Sequence, residues 1–154
     1  MPSTSGRILG VVSADGAQSS GKRLPLRVVI ADDDRDTATT LAMVLRDEGD
    51  TVHMTLRGDE VLDACRLLRP DVVIVDINMP GMSGYAIARE LRERHGALAP
   101  LLIAISGVWT RTSDRLLGTA VGFDHYLLKP CEPKDVLRLI EPLRTGSSDA
   151  NSAA

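Results

Sequence analysis

Val72-Val73-Ile74-Val75-Asp76-Ile77-Asn78-Met79-Pro80-Gly81-Met82-Ser83-Gly84 is the stretch that decides the fold. Its first four residues are apolar without alternation, and the run stops on an acid. A strand that is apolar on both faces belongs to a parallel sheet covered by helices on either side. Beyond it, Gly84, Ile87, Ala88 and Leu91 fall at i, i+3, i+4 and i+7, with Ser83 placed to cap the helix they define. The stretch therefore reads as a strand followed by a helix, one βα unit.

Working outward, the same signature recurs. Val28-Val29-Ile30-Ala31 ends in acids, Leu101-Leu102-Ile103-Ala104-Ile105 ends in Ser106, and Tyr126-Leu127-Leu128 ends in Lys129. Thr51-Val52-His53-Met54-Thr55 alternates instead, as a half-exposed edge strand does. Helical spacing appears at Ala38, Leu41, Ala42 and Leu45, with Gly49 as a stop, and at Val61, Ala64, Cys65 and Leu68, with Pro70 after it. It appears again at Val136, Leu139, Ile140 and Leu143, where Pro133 suits the first turn and Pro142 predicts an end or kink nearby. The weakest helix spans about Arg111 to Val121, with Leu117, Ala120 and Val121 on one face. Five βα units make a doubly wound α/β sheet, and such sheets bind ligands at the carboxyl ends of their strands. Residues 1–25 and 145–154 are rich in small and polar residues and read as flexible tails around a domain at 26–144.

The chain of 154 residues is long enough for one core without disulfide or metal staples. A charged fraction of 25%, a hydrophobic fraction of 44% and a formal net charge of -3 are those of an ordinary globular protein. No run of Lys and Arg stands out, so neither nucleic acid nor an anionic membrane is expected as a direct partner. Cys65 and Cys131 match no metal-ligand spacing and read as two reduced thiols. No apolar run is long enough to span a bilayer, and Ile8-Leu9-Gly10-Val11-Val12 is too short for a signal peptide, so a cytoplasmic location is expected. His53, His95 and His125 share no ligand spacing.

The residues just past the strands are Asp32 and Asp33, Asp76, Ser106 and Lys129: an acid pair, an acid, a hydroxyl and an ammonium. Val72 to Gly84 resembles the phosphoacceptor region of response-regulator receiver domains. Val28-Val29-Ile30-Ala31-Asp32-Asp33-Asp34 resembles their first strand and acidic pair, Ile105-Ser106-Gly107 their switch hydroxyl, and Tyr126-Leu127-Leu128-Lys129-Pro130 their aromatic and Lys-Pro motif. Four motifs in order, over about Leu26 to Arg144, are far more specific than any one of them. The resemblance implies a flavodoxin-like parallel sheet of five strands in the order 2-1-3-4-5 with five helices.

It also implies the chemistry. An aspartate can attack phosphorus and form an acyl phosphate, which makes Asp76 the acceptor and the modified residue. Clustered carboxylates repel a phosphoryl group unless a hard cation sits between them, and Mg²⁺ takes one or two carboxylates plus waters and phosphate oxygens. Asp33 and Asp76 are its expected direct ligands, Asp32 orients a metal-bound water, and the resemblance adds the backbone carbonyl of Asn78. Lys129 supplies a point charge to the phosphoryl oxygens and Ser106 a hydroxyl donor. A helix beginning after Asp76 is expected to add backbone N–H donors. Asp34 and Asp36 read better as helix caps than as ligands.

In the family an aromatic three residues before the Lys moves inward when the switch hydroxyl turns to the phosphoryl group, so Ser106 and Tyr126 are the expected switch; simple packing is the plainer account of Tyr126. The Lys129-Pro130 bond resembles one that is usually cis. Cys131 departs from the family, which often has Phe there, and this puts partner choice in doubt rather than chemistry. Trp109 follows Ser106 closely and would report on that loop. Expected partners are a histidine kinase or histidine phosphotransfer protein, and a downstream protein on the face made by the fourth helix, last strand and last helix. Apart from its own phosphotransfer and dephosphorylation the domain is not expected to be an enzyme. No output domain follows Arg144, so action alone on a partner, or relay between histidine proteins, is expected; the stretch 122–130 looks most like receivers of hybrid sensor kinases.

Two rivals belong to other classes. A haloacid-dehalogenase-like hydrolase would use Asp32 and Asp34 as an Asp-x-Asp motif, but needs a further acidic pair after Lys129 and leaves Asp76 unexplained. A pseudo-receiver would bind partners without phosphate, against which the intact constellation argues. A flavin protein of similar architecture would carry a hydroxyl- and Gly-rich loop where this chain has three acids.

Overall fold

The structure, a computed structural model, describes residues 23–107 and 122–146. Residues 25–141 form one compact unit; of the other, 1–24 with 142–154, only 23–24 and 142–146 are described. The expected tails at 1–22 and 147–154, the helix around Arg111 to Val121 and Trp109 lie outside the described residues.

The strands are β1 (Arg27–Ala31), β2 (Thr51–Thr55), β3 (Val72–Asp76), β4 (Leu101–Ser106) and β5 (His125–Leu128). They form one parallel sheet in the order β2-β1-β3-β4-β5. Four helices are described: α1 (Arg35–Asp47), α2 (Val61–Leu68), α3 (Gly84–His95) and α4 (Pro133–Arg144). Every residue of β3 is buried, as its unbroken apolar run requires at the centre of a two-faced sheet. β2 lies at the edge and alternates, with Val52 buried and Thr51 and His53 exposed. On one face Val29, Ala31, Val73, Val75, Leu102 and Ala104 meet Val61, Ala64, Ile87, Ala88 and Leu91 of α2 and α3. The alternate residues Ile30, Ile74 and Ile105 turn to the other face, towards Leu41 of α1 and Val136 of α4.

Local chemistry sets the element ends. Asp34 caps α1 by accepting from the Asp36 and Thr37 amides, and Ser83 caps α3 by accepting from Ala86. Gly49, at φ +101, takes the chain past the end of α1 in a conformation that costs glycine little. As expected of Pro142, α4 ends close by, two residues on at Arg144. Only the last turn has to accommodate the missing N–H, while Val136 and Ile140, fully buried, hold the helix upstream.

Register then carries function. Ala31 pairs with Val75 and Asp76 with Ile105, and Ser106 pairs with Leu128. The residues that follow β1 and β5, and those that end β3 and β4, therefore emerge side by side at one edge of the sheet.

Candidate functional site

At that edge Lys129 Nζ lies 2.9 Å from Asp76 Oδ2 and 3.3 Å from Asp32 Oδ2. Asp32 and Asp76 are buried, at 3% and 6% exposure, while Asp33 is exposed beside them. One carboxylate oxygen from each of the three lies within 4.8 Å of the others. The backbone braces both buried acids. The Asp34 amide donates to Asp32 Oδ1 at 2.9 Å, and the Asn78 amide donates to Asp76 Oδ1 at 3.1 Å. Ser106 is buried, and its carbonyl accepts from the Lys129 amide at 2.9 Å, which fixes where the Lys side chain starts. The Lys129-Pro130 bond is cis.

The charges oppose one another. Burial pushes the Asp32 carboxyl above its ordinary value and the Asp76 charge adds to this; the Asp34 amide and Lys129 offset it only in part. Burial works against the Lys129 ammonium, but its hydrogen bond to Asp76 and the charges of Asp32 and Asp76 hold it above the ordinary lysine value. Without a further cation the pocket holds three carboxylates and one ammonium. Oxygens on one Mg²⁺ can be at most about 4.2 Å apart, twice the metal–oxygen distance. The acidic cluster spans 4.8 Å, so it fits such an ion after a small movement, or with one acid acting through water. Oxygen-only donors that keep room for water suit Mg²⁺.

Of the residues expected at the site, the structure brings together Asp32, Asp33, Asp76, Ser106 and Lys129, with Asn78 exposed in the loop two residues past Asp76. Asp34 stands apart: its carboxylate accepts from the Thr37 hydroxyl at 2.7 Å and from the Asp36 and Thr37 amides. Those hydrogen bonds, the Thr37 hydroxyl first, hold its carboxyl below the ordinary value. The Asp-x-Asp rival thereby loses its second acid.

Tyr126 is half-buried and meets Phe123 edge-on at 5.9 Å, and Phe123 in turn meets Tyr85 of α3 at 6.5 Å. His53 and His95 are exposed, and His125 lies on the edge strand β5.

One expectation is corrected. The helix after Asp76 starts at Gly84 with Ser83 as its cap, as expected, but a loop of seven residues intervenes, in which Gly81 takes φ +92. The amide that reaches Asp76 is that of Asn78 in this loop, not one from a helix terminus.

Sequence reading also missed residues that position the loop. The Gly58 amide donates to the Pro80 carbonyl at 2.9 Å, and a Cβ on Gly58 would overlap the Met82 carbonyl. No local pattern announces an approach between residues so far apart in the chain. The buried Thr55 hydroxyl at the end of β2 has no hydrogen-bond partner among the described residues. Basic residues scattered through the sequence do gather: Arg66, Arg69, Arg94 and His95 line one cavity between α2 and α3.

With the geometry in place, comparison with known proteins is informative. A family model described as the response regulator receiver domain matches residues 28–141. The DNA-binding response regulator MtrA of Mycobacterium tuberculosis (strain ATCC 25618 / H37Rv) is 39% identical over 111 residues, covering 72% of this chain and 47% of the relative. The transcriptional regulatory protein CreB of Escherichia coli (strain K12) is 36% identical over 116 residues, covering 75% and 49%. The chain thus spans about half the length of the curated relatives it matches. Among solved structures, the chemotaxis response regulator CheY4 of Vibrio cholerae superposes with a TM-score of 0.70 at 26% identity, covering 77% of this chain and 98% of that one. A putative response regulator from Chloroflexus aurantiacus J-10-fl gives 0.70 at 27%, covering 79% and 98%. Among the described residues no helix is long and apolar enough to cross a membrane.

Proposed function

We propose, since this chain belongs to the response regulator receiver family, that it takes a phosphoryl group onto Asp76 from a histidine kinase or histidine phosphotransfer protein and passes the change on as a switch in protein binding. The observation that carries the reading is the reach of Lys129 from the end of β5 to Asp76 at the end of β3 and to Asp32 after β1, beside three gathered carboxylates.

Asp76 Oδ attacks the phosphorus of a phosphohistidine. A P–O bond forms as the P–N bond breaks, and the electron pair leaves on the imidazole nitrogen. Phosphoryl transfer needs mainly positioning and charge stabilisation. The Asn78 amide holds one Asp76 oxygen and Lys129 the other, so the carboxylate is oriented before the donor arrives. Lys129 then offers its charge to the phosphoryl oxygens. Asp33, Asp76 and the Asn78 carbonyl would hold Mg²⁺, with Asp32 acting through a water. When bound, that ion neutralises the carboxylates and the developing phosphoryl charge.

The neighbouring places of Ser106 and Tyr126 on β4 and β5 support a switch through these two residues. The Ser106 hydroxyl, at the end of β4, turns to the phosphoryl group, and Tyr126 on the neighbouring strand moves into the vacated space. Such a ligand shifts a two-state equilibrium only by its better contacts in one state. The domain performs no chemistry on a separate substrate; it is a phosphoacceptor whose output is read by a protein.

The test is intact-protein mass after incubation with acetyl phosphate and Mg²⁺. One added phosphoryl group, dependent on Mg²⁺ and absent from Asp76→Asn, is expected. Mass retained in the variant would overturn the assignment. Ser106→Ala should keep the phosphoryl group but weaken the response of partner binding to it.

A further inference from the structure

Beside the acidic site, on the face of the sheet covered by α1 and α4, lies a cavity of about 250 Å³. Ile30, Ile74 and Ile105 line it from the sheet, Leu41 from α1 and Val136 from α4. Cys131 completes this apolar lining, at a position where the family often has Phe. A thiol leaves open the space that a phenyl ring would occupy.

An apolar void costs stability in proportion to its size, and one of about 150 Å³ is already large enough to take up benzene. This cavity is larger than that, and room for a substituted ring is what remains.

The mouth is polar and one-signed. Asp36 and Glu132 line it together with the Thr37 and Thr40 hydroxyls, and no Lys or Arg is among the lining residues. Glu132 carries Lys134 at 3.3 Å on the surface, and Asp32, which also lines the cavity, carries Lys129. Asp36 is exposed and has no ion pair among the described residues. Its place in the first turn of α1 suits a carboxylate through the helix dipole alone, but that does not account for an open apolar chamber behind it.

We propose that this cavity is a binding site for a small aromatic amine, its ring in the apolar chamber beside Cys131 and its ammonium at Asp36. The chemistry follows from the two halves of the site: an apolar chamber of ring size, and a carboxylate without an ion pair among the described residues. The site does not depend on the phosphoacceptor reading. It does adjoin that site, because Ala31 and Ile105 line the cavity and immediately precede Asp32 and Ser106.

The experiment is a titration of the whole chain with phenethylamine, followed by amide chemical shifts in a ¹⁵N–¹H spectrum. 3-Phenylpropionate, which has the ring but the opposite charge, and butylamine, which has the charge but no ring, serve as comparisons. Saturable shifts confined to residues around Ile30, Leu41, Ile105 and Cys131 are expected, with a Kd at least tenfold lower than for either comparison compound. Cys131→Phe should fill the chamber, keep the dispersed spectrum of a folded domain and abolish those shifts, while Asp36→Asn should weaken binding at least fivefold. Equal binding to Cys131→Phe, shifts spread over the whole surface, or no saturable shift would overturn the site. Binding of 3-phenylpropionate as tight as that of phenethylamine would overturn the assignment of an amine.

Discussion

Gly58→Ala is the substitution that most directly tests how the acidic site is assembled. Gly58 precedes α2, yet its amide donates to the Pro80 carbonyl at 2.9 Å and its Cα lies against the Met82 backbone. A methyl group there would overlap the Met82 carbonyl, with the Met82 C and N atoms at 2.7 and 2.9 Å behind it. The obstacle is backbone, so no side-chain rotation relieves it, and the loop between β3 and α3 must move. Losing the hydrogen bond costs about 0.5–1.5 kcal/mol. Overpacking adds about 1–3 kcal/mol. Together they give a loss of about 1.5–4.5 kcal/mol, which lowers a urea midpoint by about 0.8–2.2 M at an m-value of about 2 kcal/mol/M. The same loop carries Asn78, whose amide holds Asp76. A displacement of about 1 Å at a reacting group can cost about a hundredfold in rate. At least a tenfold fall in the initial rate of phosphorylation by acetyl phosphate is therefore expected under native conditions. Gly49→Ala is the control: Gly49 has φ +101 but open space around it, so it should lose about 1 kcal/mol through backbone strain and keep its rate. A Gly58→Ala protein with the wild-type midpoint and rate would refute the claim that this contact sets the loop.

Further outcomes follow from the site's charges and thiols. Mg²⁺ should raise thermal stability relative to EDTA, by about 1.4 kcal/mol at ten times its Kd, and Asp33→Asn should remove most of the gain in differential scanning calorimetry. Lys129→Met should lower stability by about 1–2 kcal/mol, less than for a fully buried pair because the lysine is 26% exposed, and should slow phosphorylation at least tenfold; an unchanged rate would remove Lys129 from the chemistry. Burial pushes the Cys65 thiol up to about 11, so at pH 8 about one molecule in a thousand carries the thiolate. Iodoacetamide should therefore alkylate Cys131, which is half-buried, well before Cys65, and peptide mapping would show the order. Because the folded value of Cys65 is raised, its protonated form favours the fold below pH 9, and that contribution fades as pH rises towards 11.

The fold was legible where burial leaves a periodic mark. β1, β3 and β4 could be read because central parallel strands bury both faces, and β2 because an edge strand buries only one. The site was legible for a related reason. A doubly wound sheet delivers whatever follows its strands to one edge, so an acid, a hydroxyl and a lysine at strand ends become neighbours through register alone. The loop after Asp76 was not legible, because its path is set by steric contact with Gly58, and close approach between distant segments has no sequence period. The gathering of Arg66, Arg69, Arg94 and His95 escaped notice for the same reason: they come from the ends of two helices, and no run of basic residues marks them. At Pro142 the breaker was legible, because α4 ends two residues beyond it.

The alternation that made the strands legible also ties the cavity to the acidic site. Ile105 faces α1 and α4, while the next residue, Ser106, ends the strand beside the acids. On β1 it is Ile30, two residues before Asp32, that faces the same way. Side chains on opposite faces of a strand share one backbone, so displacing one moves the origin of the next. A group filling the chamber beside Cys131 presses on the sheet one residue before the hydroxyl and two residues before an acid. Neighbouring strands limit that movement, because β4 is held between β3 and β5 and β1 between β2 and β3. Asp32 and Ser106 stand at the end of the ladder, where the Asp32 amide donates to the Thr55 carbonyl and the Ser106 carbonyl accepts from the Lys129 amide, so movement there reaches the site directly. Occupation of the chamber should therefore act on phosphorylation through these two residues rather than through α2 or α3, which pack on the opposite face.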